Sequence, residues 1–482
     1  MKKIIAILLG PVLFLAGCSF VPAYQRPVVE TPPAWGEAGV QTNVDIAADW
    51  WESFSSPELN ALMARALEYN TDLLAGVQRV EQARASLKIA GATLLPSAGL
   101  GADADWSKTV RTSGRNSSDT FLQTGVDVSY ELDLFGANRA QVLAAEAGLD
   151  SSIYDQGALE LAIMGDVATG YFTLASLRER LALADANLDI SREVLRIITA
   201  RVREGAESEI DLAQQRTAVA STEAARAVIA ERIKNAENAL AVLLGAPPQT
   251  ITVDRENLDG VNVPDVAPGQ PSELLERRPD LLAAEASLIA ANANIGVAKA
   301  AFFPSISLGA GDVLSTTGFG DPATMVLSLA ASIAQPIFEG GSLEGGLDLA
   351  TAEQRELAQL YLGSVLTAFQ EVEDALAAVK YTREREISLK TAMEQAQRAY
   401  SLSLRMYDAG AIDFQTLLDT QNAQLVTEDE YAQAKLARLT AAVNLYRALG
   451  GGWVSSGEAE EYLQGRGSLV EEAGEGGCEG DS

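Results

Sequence analysis

Glu131 and Asp133 stand two apart in SYELDLFGANRAQ (129–141), alternating with Tyr130, Leu132 and Leu134. Carboxylates at that spacing share one face of a β-strand. A close pair of acids is also minimal equipment for general acid–base catalysis. Asp127 extends the row. Nothing else in the chain supports catalysis. There is no His, the commonest general base and metal ligand. The two Cys, Cys18 and Cys478, are far apart and lack metal-ligand spacing. Neither a Gly-rich phosphate loop nor a nucleophile motif appears. The expectation is therefore no catalytic residue, no metal and no cofactor, and the acid row must serve something else.

The elements that carry the row narrow the choice. It ends a strand that runs straight into a helical pattern lasting tens of residues. The 482-residue chain is 48% hydrophobic but only 6% aromatic, so Ala supplies much of the apolar share and favours close-packed helices. Net charge is −30. Phosphate repels such a surface, which excludes nucleic acid as a partner.

The N-terminus reads as an address. Lys2 and Lys3 precede an apolar stretch, Ile4 to Leu15, of signal-peptide length and too short to span a bilayer. It ends in Leu15-Ala16-Gly17-Cys18, a bacterial lipobox whose cysteine is expected to carry thioether-linked diacylglycerol. Ser19, rather than Asp, follows, so delivery to the outer membrane is expected, with Cys18 anchored in its lipid. Residues 1–17 are then a signal peptide and 18–54 a lipid-anchored, Pro-rich extended linker. No later segment has about eighteen consecutive apolar residues, so a membrane crossing has to be a barrel.

The chain is written twice. LLPSAGLGAD (94–103) matches FFPSISLGAG (302–311), and Asp72-Leu73 matches Asp280-Leu281 at the same offset of 208. Leu134-Phe135-Gly136 resembles Ile337-Phe338-Glu339-Gly340. Gly205, Thr222-Glu223 and Leu244-Gly245 return 205 residues later. The expected organisation is repeat 1 over 55–250, a connector over 251–271, repeat 2 over 272–452 and an acidic Gly-rich tail over 453–482. Each repeat predicts a helix (about 57–94; 272–302), two strands (about 97–111 and 120–134; 304–314 and 325–337), a long helix (136–203; 340–407) and a returning helix (208–244; 413–449). Leu177, Leu181, Ala184, Leu188, Ser191, Leu195, Ile198 and Val202 follow a coiled-coil seam. At about 1.5 Å per residue, each long helix is about 100 Å long.

Leu122, Val126, Val128, Tyr130, Leu132 and Leu134 are expected on one strand face, with Gln123, Asp127, Ser129, Glu131 and Asp133 on the other. The strands are long enough to cross a bilayer with tilt. Four strands cannot close a barrel, and eight would fill it with side chains. Three chains give twelve, the smallest assembly with an aqueous lumen. Asp127, Glu131 and Asp133 would then line that lumen. A soluble sheet would need amphipathic helices over its apolar face, and the helices here are too long for that role.

At this point the residues resemble a family. The lipobox, the YQRP linker, ERRPDLLAAEASLIAANANIGVAKAAFFPSISL (276–308), the doubled hairpin and the Gly-centred helix turns are similar to the TolC-like outer-membrane efflux proteins, and to their lipidated OprM-type branch. The resemblance implies a mixed α+β membrane protein: a homotrimer whose shared twelve-stranded outer-membrane barrel continues into a periplasmic α-helical barrel. It implies a periplasmic adaptor and an inner-membrane resistance-nodulation pump as partners. MYDAGAIDFQTLLDTQ (406–421) matches the family's closing motif. By resemblance Tyr407 tethers neighbouring helices and Asp419 forms a ring of three carboxylates, with Asp413 and Asp211 as further aperture residues. Thr416 stands where a second acidic ring would lie, and Ile412 where some members carry an Arg tether. A solvated helix-face charge is the plainer reading of Asp419.

The function expected is the exit duct of a tripartite efflux pump for drugs or other small toxic compounds. Type I secretion and metal efflux are alternatives. A lipid-anchored periplasmic coiled-coil scaffold is the alternative of another class, and two amphipathic hairpins argue against it.

Overall fold

The computed structural model describes residues 19–36, 47–266, 268–317 and 322–451. Signal peptide, Cys18 and acidic tail lie outside the described residues. After a 3-10 turn at Trp50–Phe54, the elements are α1 (Pro57–Tyr69), α2 (Thr71–Ala92), β1 (Ser97–Thr109), β2 (Ser117–Glu131), α3 (Ala137–Arg203) and α4 (Glu209–Leu243). The second half has α5 (Leu274–Arg277), α6 (Pro279–Ala300), β3 (Ser305–Thr316), β4 (Thr324–Ala334), α7 (Ser342–Asp408) and α8 (Phe414–Ala448). The duplication is literal in length. α3 and α7 each have 67 residues, α4 and α8 each 35, and α2 and α6 each 22.

Both long-helix turns end by the same device. Gly205 and Gly410 adopt left-handed φ of 76° and 71°. Gly205 N–H then reaches Val202 O and Ala206 N–H reaches Arg201 O; Gly410 and Ala411 repeat this on Tyr407 O and Met406 O. That paired arrangement satisfies the last carbonyls of each helix and needs the conformational freedom of glycine. The returning helices start on side-chain caps, Ser208 for α4 and Asp413 for α8.

Two helices expected to be continuous are broken. Asn70 adopts an extended ψ of 123° and its Oδ1 accepts from the N–H groups of Asp72 and Leu73, so it caps α2 while ending α1. Arg278 is extended because Pro279 follows it, and α6 starts only at that proline. α6 is also, among the described residues, the one helix long and apolar enough to cross a membrane. Asp280, Glu285 and Lys299 interrupt its sequence, and Leu281, Leu288 and Ile295 on it are buried in the protein.

The chain divides into two compact units. The first holds the segment up to Val28, Arg79–Ile153 and Ala283–Gly363, with all four strands; the second holds Val29–Gln78, Tyr154–Leu282 and the chain from Ser364. In the first unit the strands form one antiparallel sheet in chain order, β1-β2-β3-β4. Here the N-terminal segment is clamped. Arg26 forks onto Glu285 (2.7 and 2.5 Å), Tyr24 donates to the same carboxylate, and Phe20 stacks on Phe303 at 4.4 Å.

In the second unit half of the expected seam is buried, while Leu181, Ala184, Leu195 and Val202 are half-buried. Leu177, Leu188, Ser191 and Ile198 are buried. The RRPD stretch is explained there too. The Arg278 guanidinium forks onto Asp280 (3.0 and 2.7 Å), donates to Glu371 (2.6 Å) and caps the carbonyl of Ala448 at the end of α8 (3.2 Å).

Candidate functional site

The sheet carries one group of candidate residues. Cross-strand pairing puts Leu100 beside Val126, Val126 beside Asp312, and Asp312 beside Leu327. Directly paired residues share a face, so this face also holds Ala102, Trp106, Val128, Leu308, Leu314, Met325, Leu329 and Ile333. Leu100 is 79% exposed, Leu327 77% and Leu329 89%. An apolar face this bare belongs in lipid, not water. Asp312 is the single acid on it. The opposite face carries Asp103, Asp105, Asp119, Asp127 and Glu131 on the first hairpin, with Ser305, Ser307, Ser328 and Ser332 on the second. Gln123 donates to Asp103 (3.0 Å) across β2 and β1.

Asp133 departs from expectation. β2 ends at Glu131, so Asp133 lies beyond the strand and is not part of its acid row. Its carboxylate instead accepts from the N–H of Asn138 (3.1 Å) and Arg139 (3.0 Å) and pairs with the Arg139 side chain (3.0 Å). It caps α3 where the strand turns into the helix. Asp133→Ala is expected to cost about 1 kcal/mol, read as faster amide exchange at Asn138 and Arg139, with no loss elsewhere.

The helix turns, in the second unit, carry a separate group. Tyr407 is 2% exposed, packed with Val194, Ile198, Phe414 and Leu417. Its hydroxyl donates to Glu207 (2.8 Å), and the Arg201 guanidinium lies 4.3 Å from its ring centroid. Arg201 also reaches Glu207 at 3.6 Å and donates to the Tyr407 carbonyl at 3.4 Å. Burial pushes the phenol well above its ordinary range; the Glu207 carboxylate adds to that and Arg201 opposes it. Tyr407 is thus held as a protonated donor. The latch joins the second repeat's turn to the first's.

Arg201 and Glu207 escaped the sequence reading. The Arg tether of some family members falls at Ile412, inside the second repeat; at the repeat offset of 205 that position corresponds to Glu207. The polar partner is therefore in the other copy of the motif, while Ile412 packs against the apolar cluster.

The remaining acids sit apart from the latch. Asp413 accepts from Thr416 N–H (2.8 Å), and that residue's hydrogen bonds hold its carboxyl below the ordinary carboxylate range. Asp211 completes a capping box with Ser208. Both carboxylates thus serve helix starts. Asp419 is exposed on α8, accepting from Gln415 at 2.8 Å, and its repeat counterpart is Gln214.

Comparison with known proteins agrees with this architecture. The model of the family described as outer membrane efflux protein matches residues 62–246 and 270–451, one segment per repeat. The pyoverdine export outer membrane protein OpmQ of Pseudomonas aeruginosa is 38% identical over 463 residues, covering 93% of this chain and 97% of the relative. The CmeC outer membrane channel of Campylobacter jejuni superposes with a TM-score of 0.85 at 25% identity, covering 93% and 98% of the two chains. The open-state MtrE channel of Neisseria gonorrhoeae gives 0.81 at 32% identity, covering 90% and 98%. The matched length and both repeats together place the chain in the outer membrane efflux protein family, as a TolC-like channel of the outer membrane that extends into the periplasm.

Proposed function

We propose that three copies of this chain close a twelve-stranded barrel in the outer membrane. Together they make a passive exit duct for small organic compounds, served by a periplasmic adaptor and an inner-membrane resistance-nodulation pump. The observation that carries this reading is the sheet. One face is bare and apolar, the other is acidic and hydroxyl-lined, and among the described residues both edge strands lack a further strand partner. Lipid covers the first face, water fills the space along the second, and neighbouring copies pair the edges. Asp127 and Glu131 line that water-filled lumen. Cys18 carries the acyl anchor that holds each copy in outer-membrane lipid.

The periplasmic end is the aperture. Tyr407, with Arg201 and Glu207, holds the two turns of one copy together. Asp419 from three copies forms a ring of like charges that repel and attract cations. Asp413 and Asp211 act there indirectly, by fixing the helix starts. The chain performs no chemistry of its own.

OpmQ is named for pyoverdine export, and pyoverdine is therefore one compound to test as cargo of this duct. A strain lacking this chain, challenged with a panel of antibiotics, solvents and metals and assayed for secreted pyoverdine, is expected to lose export or resistance for at least one class. Wild-type behaviour towards every class would sink the efflux reading.

A further inference from the structure

Two apolar junctions at the base of the sheet are built alike in sequence and unlike in exposure. At the β2/β3 junction Phe135 stacks on Phe303 with ring centroids 5.0 Å apart. These rings continue the β2–β3 pairing past the ladder, in the same register that sets Glu131 opposite Ser307. The repeat counterparts of Phe135 and Phe303 are Phe338 and Leu95. These sit at the bases of the two edge strands, where Phe338 is 89% and Leu95 67% exposed.

We infer that the β2/β3 seam is the template for the seam between copies, and that it fixes the register in which β4 of one copy pairs with β1 of the next. Phe338 then packs on the partner's Leu95. Carrying the register up the strands sets Ile333 opposite the partner's Leu100, Ser332 opposite the partner's Gly101 and Ser328 opposite the partner's Asp105. This deepens the shared-barrel reading and rests on it.

Three features of the sheet agree with this register. Its faces match: Ile333 and Leu329 lie on the apolar face of β4, and Leu100 and Ala104 on that of β1. A slip by one residue would turn Asp103 and Asp105 into lipid. Its ends match as well, because Thr324 at the loop end of β4 falls opposite the partner's Thr109 at the loop end of β1, so β4 is paired along its whole length. Its base matches through Phe338 and the partner's Leu95, which a slip by two residues would separate.

The seam also sets the lumen chemistry between copies. Asp105 of β1 meets a hydroxyl, Ser328, and Asp103 meets Ala330. No acid faces an acid across the seam, which like-charge repulsion requires.

Disulfide trapping reads the register directly. Leu132 N–H donates to Ile306 O (2.8 Å), which makes the Ser129–Gly309 rung a non-hydrogen-bonded one. Its counterpart, Ser332 with the partner's Gly101, has the close Cα approach of about 4.5 Å that a disulfide needs. A side chain at Gly101 meets nothing within 4 Å. Within one copy β1 and β4 are three strand spacings apart, about 14 Å, so any bond joins two copies.

The full-length protein in its native membrane, in a Cys478→Ser background with Cys18 retained, is oxidised mildly and separated under denaturing conditions. Ser332→Cys with Gly101→Cys, and Ser328→Cys with Asp105→Cys, are expected to give covalent dimer and trimer. Ser332→Cys with Asp103→Cys, displaced by two residues, is expected to remain monomeric on the denaturing gel. Cross-linking by the displaced pair, or by none of the pairs in a protein that is still trimeric in detergent, overturns the register and leaves the barrel. A protein that is monomeric in detergent overturns both.

Discussion

Tyr407→Phe is expected to raise the open fraction of single channels in a planar bilayer by roughly tenfold or more. The substitution keeps the ring in its pocket against Phe414, 6.3 Å away, and keeps Arg201 over its face. It deletes one bond, the phenol donating to Glu207. A hydrogen bond to a charged group contributes roughly 1.5–3 kcal/mol, and each 1.4 kcal/mol is about tenfold in an equilibrium. Three copies lose one latch each. The phenol's raised pKa fixes the pH dependence. A group raised in the folded state contributes below its ordinary value, about 10 for a phenol, and loses that contribution as pH rises through the folded value. The latch should therefore be constant in strength from pH 6 to 9, as far as the phenol is concerned. Unchanged open time in Tyr407→Phe would make the buried pair a packing feature only. Asp419→Ala gives a separate reading, because the proposed ring of Asp419 carboxylates would act on ions and not on the latch. Cation-over-anion permeability should fall; equal permeability in both proteins would return Asp419 to an ordinary solvated helix charge.

How legible this was depends on whether the signal is local. The helix turns were plain in sequence because Gly205, Gly410, Ser208 and Asp413 act on their own neighbours. The strand faces were plain because period-two alternation is local as well. Asp133 was misplaced because the alternation continues past Glu131 while the ladder does not; Ser307, opposite Glu131, is near the start of β3 and only one further bond, Leu132 to Ile306, follows. Asn70 was passed over because an Ala- and Leu-rich pattern flanks it on both sides, though Asn followed by Thr and Asp is a capping signal. The latch was half seen. Tyr407 came from a motif, but Arg201 and Glu207 are about two hundred residues away in sequence, and only the fold brings the repeats' turns together.

Arg278→Ala carries the largest expected loss of stability. One guanidinium, 8% exposed, joins the start of α6 through Asp280, the middle of α7 through Glu371, and the last residue of α8 through the Ala448 carbonyl. Burial by itself would lower its pKa, yet the two carboxylates outweigh this and raise it, so the charge is stable where it sits. Removing one partner of a buried pair costs roughly 3–5 kcal/mol. Here Asp280 and Glu371 have side chains 43% and 49% exposed and can recover water, which brings the expectation down to about 2–4 kcal/mol. What water cannot repair is the fork, which fixes three helices in one plane of donors. Arg278→Lys keeps the charge but offers a single point donor, and should recover less than half of the loss. Thermal unfolding of the purified protein in detergent is the readout, with an apparent midpoint lowered by about 2–4 °C for Ala and by less for Lys. If Lys restored the midpoint fully, charge alone would account for the site. If Ala left it unchanged, the cost of burying Arg278 would already cancel what its hydrogen bonds contribute, and the RRPD stretch would need a reason other than stability.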